Sequence, residues 1–142
     1  MSNILRIPVH CPSLSLLSSM AEKVWYAHKG ADKIEYTENK LKFEFPCDFR
    51  KLYEESDGFG MDINYSYVHF WCVDSILAAD EIFCEIEKGR YIFFADADDC
   101  LDCFAYDRQG GKIHIFSTEN GIDEGRYCAD NIAEMTDYIR NI

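Results

Sequence analysis

The sequence predicts an α+β fold, in which helices flank a central antiparallel sheet. Hydrophobic residues make up 48% of the 142 residues and aromatic residues 15%, which is enough for a sizeable core. Segments rich in aromatic and β-branched residues follow one another through short links that contain Asp or Gly, as in a meander of antiparallel strands. Segments of helical periodicity precede, interrupt and follow these strands. We expect residues 1–142 to form a single domain.

The segment Pro12–Gly30 predicts a first helix. Its apolar residues recur at helical spacing, Ser13 is suited to cap the helix, and Gly30 provides a stop signal. The apolar residues are Leu16, Leu17, Met20, Val24, Trp25 and Ala27.

Between Lys33 and Phe45 two patterns compete. Leu41, Phe43 and Phe45 alternate with charged residues as in a strand, whereas residues 34–41 also suit the continuation of a helix. The sequence leaves the structure of residues 31–45 open.

A second helix is predicted to begin at Pro46, because proline lacks the N–H that would be unpaired in the first turn. Phe49, Leu52 and Tyr53 then fall at i, i+3 and i+4, which gives the helix one apolar face. We expect the helix to stop at Asp57-Gly58, because glycine can take the left-handed conformation that closes a helix.

Ile63–Trp71 alternates between two sets of residues, as a strand with one buried face would. One face would carry Tyr65, Tyr67, His69 and Trp71, and the other Ser66, Val68 and Phe70. The sequence does not decide which face is core. Gly60 leaves room for a sharp change of direction before this strand.

The second half of the chain predicts alternating helices and strands. A helix is expected over Asp74–Ile86, and strands over Arg90–Ala95 and Leu101–Asp107. Gly110-Gly111 predicts a hairpin, because adjacent glycines allow the positive φ values of tight turns. The expected strand after this hairpin is Lys112–Ser117, and the expected last helix is Ala129–Ile142, capped by Asp130.

The charge balance disfavours several kinds of partner. Lys and Arg number 14 against 26 Asp and Glu, a formal net charge of −12. Phosphate binding depends on basic residues that displace counterions, so we expect neither a nucleic acid nor an anionic membrane as partner. A basic protein fits the sign of the charge, because complementary fields speed encounter. The simpler interpretation is that the acidity only keeps the protein soluble.

Hydropathy and cysteine usage indicate a cytoplasmic protein. No apolar run approaches the roughly 18 residues that a membrane span requires, and the first residues lack the apolar core of a signal peptide. The seven cysteines are odd in number and irregularly spaced, which favours reduced thiols over a disulfide framework.

Five aspartates cluster around one predicted turn, where they repel one another unless a cation or a basic surface compensates. They are Asp96, Asp98, Asp99, Asp102 and Asp107. A calcium loop that begins at Asp96 would need an oxygen ligand where Cys100 stands and a glycine where Leu101 stands, so calcium is disfavoured. A solvated polar turn and an acidic edge that binds a partner are the remaining interpretations.

Catalysis has little support in the sequence, which lacks the common nucleophile, metalloprotease and phosphate-binding motifs. The histidines are scattered, at His10, His28, His69 and His114. Cys100 and Cys103 have the CxxC spacing of a zinc or redox site. On a strand, however, side chains three residues apart point to opposite faces and cannot bind one metal together. We therefore predict that Cys103 is a small buried core residue, and we expect no cofactor, no metal and no enzymatic activity.

Four motifs occur in an order that resembles a known family. Phe45–Phe49 is an aromatic-Pro-x-x-aromatic helix start that leads into Ser56-Asp57-Gly58. Phe70-Trp71 closes a strand before a helix, the strands Ile92–Asp96 and Asp102–Asp107 flank a turn, and a final helix follows. In this order the motifs resemble the SUKH superfamily, named partly for the yeast Smi/Knr regulators of cell-wall glucan synthesis.

The resemblance implies a SUKH-like fold and a role as an immunity protein, since many bacterial members neutralise polymorphic toxins, such as nucleases, by docking on them. Carboxylates of this chain would then meet Lys and Arg of the toxin. The predicted partner-binding residues are Asp96, Asp98, Asp99, Asp102, Glu119, Asp123 and Glu124. The family's turn is usually Gly-rich, and here residues 97–100 depart from that pattern.

Two other functions stay open. The resemblance to the yeast regulators allows a regulatory or scaffold module. A small hydrolase with an unrecognised site would place His69 or His114 against a carboxylate in a deep pocket. The sequence names neither the partner nor the oligomeric state.

Overall fold

The strands follow one another in chain order across a single sheet. The computed structural model describes residues 17, 21–27, 29–98, 100–119 and 124–141, and in them seven antiparallel strands pair in the order β1 to β7. The strands are β1 (Lys23–Tyr26), β2 (Phe59–Ile63), β3 (Ser66–Phe70), β4 (Tyr91–Ala97), β5 (Asp102–Asp107), β6 (Ile113–Ser117) and β7 (Arg126–Ala129). The helices are α1 (Ile34–Leu41), α2 (Cys47–Glu55), α3 (Val73–Ile82) and α4 (Ile132–Arg140), with a 3₁₀ segment at Ile86–Gly89. The predicted α+β fold with an antiparallel sheet is confirmed.

One face of the sheet, here called the covered face, packs against the helices and forms the main core. Val68 and Phe70 lie on this face and are fully buried, which answers the question that the sequence left open. From α2, Phe49 stacks on Phe45 and Tyr53 with ring centroids 4.0 and 3.9 Å apart. The predicted apolar face of α2 is therefore confirmed as the centre of the core.

A buried carboxylate joins α2 to α4. Asp48 accepts hydrogen bonds from the backbone N–H groups of Phe49, at 2.8 Å, and Ile132, at 2.9 Å. Burial raises the pKa of Asp48, although these two backbone bonds act in the opposite direction. Because a buried donor without an acceptor is costly, this carboxylate fixes where α4 begins.

The ambiguous segment before α2 is a helix followed by extended chain. Helix α1 ends at Lys42, whose φ of 54° is left-handed, and the chain then runs to Phe45. Glu38 is buried and holds this reversal, because its carboxylate accepts bonds from Phe45 N at 2.7 Å and from Arg50 at 3.0 and 2.6 Å.

The helix predicted over Pro12–Gly30 is wrong in its second half. Lys23–Tyr26 form β1, which pairs with β2 so that Trp25 lies opposite Gly60. A segment of only four residues fits the spacing of a strand and of a helix equally well. Its pairing with β2 decides for the strand, and a local pattern does not show such pairing. Leu17 is helical and buried, and the rest of the predicted segment before Ala21 lies outside the described residues.

The strand predicted over Ile63–Trp71 forms over Ser66–Phe70, but the first residues of the predicted segment belong to the end of β2 and to a hairpin turn. Asn64 and Tyr65 form this turn with φ values of 48° and 69°. Two positive φ values suit a hairpin turn, but tyrosine rarely takes one, so the sequence did not signal this turn. Gly60 lies inside β2 and not at a change of direction.

Helix α3 ends earlier than predicted, at Ile82. Left-handed residues Glu87 and Lys88 then turn the chain, and Phe83 and Ile86 pack on the opposite face of the sheet. The sequence did not signal this turn, because Glu87 and Lys88 occupy left-handed positions where glycine or asparagine is usual.

The later strands β4, β5 and β6 and a last helix form as predicted, whereas β7 was not predicted and includes Ala129, where the helix was expected to begin. Strands β4, β5 and β6 form, with Gly110 and Gly111 at φ values of 99° and 73° before β6. The cap of α4 is Asn131 and not Asp130, because the Asn131 side chain accepts the Glu134 N–H at 2.9 Å. The Glu134 side chain in turn accepts the Asp130 N–H at 3.0 Å. This resembles a capping box, except that the acidic side chain bonds the residue before the cap and not the cap itself.

Candidate functional site

The second face of the sheet, here called the open face, carries the polar and partly exposed residues. One row of directly opposite residues crosses β1 to β6 on this face. It consists of Trp25, Gly60, His69, Asp96, Cys103 and Phe116. Phe83 and Ile86 cover the part of the face around Phe93 and Phe116, while the part on β1 to β3 stays exposed.

Asp96 lies in the middle of this row, and its carboxylate bonds a neighbouring side chain. It is only 6% exposed, and one carboxylate oxygen accepts the indole N–H of Trp71 at 2.5 Å. The same oxygen lies 3.8 Å from His69 Nδ1. Asp96 therefore positions Trp71, and its carboxylate points into the open face.

The turn between β4 and β5 presents the next predicted residue to solvent. Asp98 is exposed, and its backbone N–H and one carboxylate oxygen bond the backbone of Tyr67 at 2.9 and 3.1 Å. Asp98 and Cys100 have φ values of 54° and 69°, so these two residues take the left-handed conformations for which a Gly-rich turn is suited. Asp99 lies outside the described residues.

The loop after β6 lies beside this turn. Thr118 donates its N–H to Leu101 O at 2.9 Å, which brings the exposed Glu119 close to the start of β5. Strands β6 and β7 pair antiparallel, so that Glu124, which precedes β7, lies at the same end of the sheet. Glu124 is also exposed. We call Asp98, Asp102, Glu119 and Glu124 the acidic end, and Asp123 lies outside the described residues.

Asp107, the fifth aspartate of the sequence cluster, lies at the far end of β5 and is not part of the acidic end. Arg90 binds it through two hydrogen bonds of 3.0 and 2.8 Å, and these bonds lower the pKa of Asp107. His114 Nε2 lies 3.7 Å from the same carboxylate, while burial lowers the pKa of His114. Proximity in sequence did not show that a strand of six residues separates Asp107 from the turn.

Each histidine named by the hydrolase interpretation lies beside a carboxylate that already bonds another side chain. The Asp96 oxygen near His69 holds the Trp71 indole, and Arg90 binds both oxygens of Asp107. The separations of 3.8 and 3.7 Å exceed a hydrogen bond. In this structure the two carboxylates bond Trp71 and Arg90 and not a histidine.

The cysteine of this row, Cys103, is a buried thiol. Cys103 is buried as predicted, and burial raises its pKa to about 12, so the thiol is protonated near neutral pH. Cys100 is exposed in the turn. Among the described residues, no group of three or more His, Cys, Asp or Glu side chains is arranged to hold a metal ion.

A group of partly exposed rings lies on the open face. The sequence placed Tyr67 and His69 on one face of a strand but did not show Trp25 beside them. Tyr67 lies between Trp25 and His69, with ring centroids 5.7 and 6.4 Å apart respectively. Its ring crosses Gly60, where a Cβ atom would stand 2.3 Å from the tyrosine oxygen. We call Trp25, Tyr67 and His69 the aromatic patch. A glycine within a strand was the available signal, because it often marks such a close approach.

A groove of about 280 Å³ opens beside the aromatic patch. Trp25 and His69 border it, and Asp57 and Gly58 contribute to its lining. One Asp57 oxygen accepts the backbone N–H of Val73 at 3.0 Å, at the start of α3. The groove thus combines aromatic walls with a carboxylate that the helix start holds in place.

Comparison with known proteins gives one match. A model of the SMI1 / KNR4 family (SUKH-1) matches residues 30–137, which is more than half of the chain. A search of curated proteins found none that matches. In the described part of the chain, no helix combines the length and the apolar character that crossing a membrane requires.

Proposed function

Because the chain belongs to the SMI1 / KNR4 family (SUKH-1), we propose that it is a non-catalytic protein-binding domain, an immunity protein that docks on a basic toxin and blocks it. The observation that carries this proposal is the acidic end. Asp98, Glu119 and Glu124 expose carboxylates from neighbouring turns at one end of the sheet.

The electrostatics support a basic partner. Like charges held close together on one surface repel, and a partner surface rich in Lys and Arg relieves that repulsion. The net charge of −12 extends the attraction over a longer range and speeds encounter, most strongly at low salt. A nuclease toxin, which needs basic residues to hold phosphate, is a partner of this kind.

The absence of catalysis is part of the proposal. The carboxylates near His69 and His114 hold Trp71 and Arg90, and the Cys103 thiol is protonated. In this account the protein acts in the cytoplasm of the cell that makes the toxin, and it acts by occupying a surface.

A regulatory or scaffold module is the second candidate, and the family match favours it because the family's name includes those regulators. The gene's neighbourhood separates the two. An immunity gene should lie beside the reading frame of a protein that kills when expressed alone, and co-expression of this chain should prevent the killing.

The acidic end can be tested in that co-expression assay. We expect the triple variant Asp98→Lys/Asp102→Lys/Glu119→Lys to lose protection, with affinity for the neighbouring protein reduced at least about tenfold and a weaker salt dependence. The matched control is Glu81→Lys/Glu85→Lys/Glu87→Lys, which reverses the same number of exposed charges around and just after the end of α3. Equal protection by the triple variant and the wild type would refute the docking edge.

A further inference from the structure

We propose that the groove beside the aromatic patch is a seat for one arginine side chain of the basic partner. This inference rests on the proposed function and adds to it a second contact with defined chemistry. The acidic end attracts the partner through charge, whereas the seat would recognise a single planar cation.

The rings present faces that suit a cation. Trp25 lines the groove and is 41% exposed, and the ring of Tyr67, which lies outside the lining, packs on Trp25 at an angle of 59° and holds it in place. Aromatic faces carry partial negative charge and attract ammonium and guanidinium groups. The chain already shows this preference, because the ammonium group of Lys23 lies 4.8 Å from the centre of the Trp25 ring.

The carboxylate of Asp57 supplies the charge at the groove. Its bond to Val73 N uses one lone pair of one oxygen, and a carboxylate has about four acceptor sites. A guanidinium group can stack on an indole and donate to a carboxylate at the same time, because it is flat and its donors lie in its plane. Lysine has a compact ammonium group, which fits these two demands less well.

The seat is built on strands and is therefore preorganised. Trp25, Gly60 and His69 lie opposite one another on β1, β2 and β3. Gly58, with a φ of 88°, lines the groove at a point where a Cβ would stand 2.8 Å from Phe70 O. A volume of about 280 Å³ is at the lower limit of small-molecule pockets, which suits one side chain better than a larger ligand.

Binding of an isolated arginine derivative tests the seat without the partner. The probe is N-acetyl-arginine amide, added to the full chain while NMR follows the indole N–H signals of Trp25 and Trp71. We expect a saturable shift of the Trp25 signal and no shift of the Trp71 signal, whose N–H is bonded to Asp96. N-acetyl-lysine amide should bind several-fold more weakly, and N-acetyl-citrulline amide, which is neutral, should not bind.

Asp57→Asn is the matched variant, because asparagine keeps an oxygen for Val73 N–H and removes the charge. It should weaken the arginine probe at least about fivefold. Binding of the citrulline probe as tightly as the arginine probe, or equal shifts of both indole signals, would show that no such seat exists.

The partner assay then tests whether the seat is used. Gly60→Ala changes no charge but displaces the Tyr67 ring, and Trp25→Ala removes one wall. We expect each variant to weaken the affinity for the partner, Trp25→Ala by about tenfold. Tyr36→Ala, which removes an exposed ring from α1, is the control and should have no effect.

The possible results separate the two proposals. If Trp25→Ala and Gly60→Ala bind the partner like the wild type while the acidic-end variant fails, the seat is wrong and the proposed function stands. If no neighbouring toxin is neutralised but the arginine probe binds in the Asp57-dependent way, the proposed function is wrong and the seat stands.

Discussion

The covered and open faces of the sheet use the same strands but hold their polar groups differently. On the covered face, Phe45, Phe49 and Tyr53 stack on one another, and the buried carboxylate of Asp48 bonds two backbone N–H groups. On the open face, Asp96 and Asp107 bond side chains, Trp71 and Arg90. The covered face thus fixes how elements pack, whereas the open face fixes where individual side chains point.

This difference teaches where stability and binding reside. Burial of large rings accounts for most of the free energy of a fold of this size. Partly exposed rings and carboxylates contribute little to that free energy, but at an interface they contribute contact area and charge. Substitutions on the two faces should therefore separate into effects on stability and effects on affinity.

The largest expected effect on stability is on the covered face. Phe49→Ala should lower the free energy of unfolding by about 3 to 5 kcal/mol, because it removes the ring at the centre of the stack and leaves a cavity. Urea unfolding followed by circular dichroism measures the change. Tyr36→Ala, at an exposed ring, should change it by less than about 0.5 kcal/mol. Similar losses of free energy of unfolding in the two variants would contradict the claim that the rings of the covered face carry the stability.

The next effect concerns the buried carboxylate of the covered face. Asp48→Ala should cost about 1 to 3 kcal/mol, because the N–H of Ile132 loses its buried acceptor. Asp48→Asn can keep an oxygen for the Ile132 N–H but turns its NH2 group toward the Phe49 N–H, so it should lose some stability, but less than Asp48→Ala. The same urea measurement distinguishes them, and an equal loss in both variants would mean that the bond to α4 does not matter.

The Asp107 carboxylate on the open face should make the free energy of unfolding depend on pH. Arg90 lowers the folded-state pKa of Asp107 below its ordinary value of 3.8. Its contribution is therefore present above pH 3.8 and is lost as the pH falls through the folded-state pKa. Asp107→Asn should have a lower urea midpoint than the wild type at pH 7, and the gap should narrow toward pH 3. A gap of constant size would contradict this assignment.

The smallest effect on stability is expected at the acidic end. In Asp98→Lys/Asp102→Lys/Glu119→Lys, the free energy of unfolding should change by no more than about 0.5 kcal/mol each at Asp102 and Glu119, and by about 1 kcal/mol at Asp98, whose carboxylate accepts the Tyr67 N–H. A slight stabilisation would also agree with the account, because the reversal relieves repulsion among carboxylates. A loss comparable to that of Phe49→Ala would show that the acidic end is part of the fold and not a separate binding surface.

The sequence predicted the elements whose signals are local. Helix α2 follows from Pro46 and one apolar face, and the hairpin before β6 follows from Gly110 and Gly111. Strand β1 could not be predicted, because it depends on pairing with a segment that lies more than thirty residues away. The turn at Asn64 and Tyr65 was missed because a tyrosine occupies a left-handed position there.

The candidate site was predicted in part for the same reason. Sequence spacing placed five aspartates together, but the strands bury Asp96 and carry Asp107 to the other end of β5. The aromatic patch requires the pairing of β1 with β2 and the absence of a side chain at Gly60. Neither condition can be derived from a local pattern.

The most direct test of the account is the affinity for the neighbouring toxin, measured across a range of salt concentrations for the wild type and for Asp98→Lys/Asp102→Lys/Glu119→Lys. The account predicts tight binding that weakens steeply with salt for the wild type, and weak binding with little salt dependence for the variant, although the variant is still fully folded at the urea-free conditions of the assay. Equal affinities and equal salt dependences in the two proteins would contradict the claim that this acidic surface binds a basic partner.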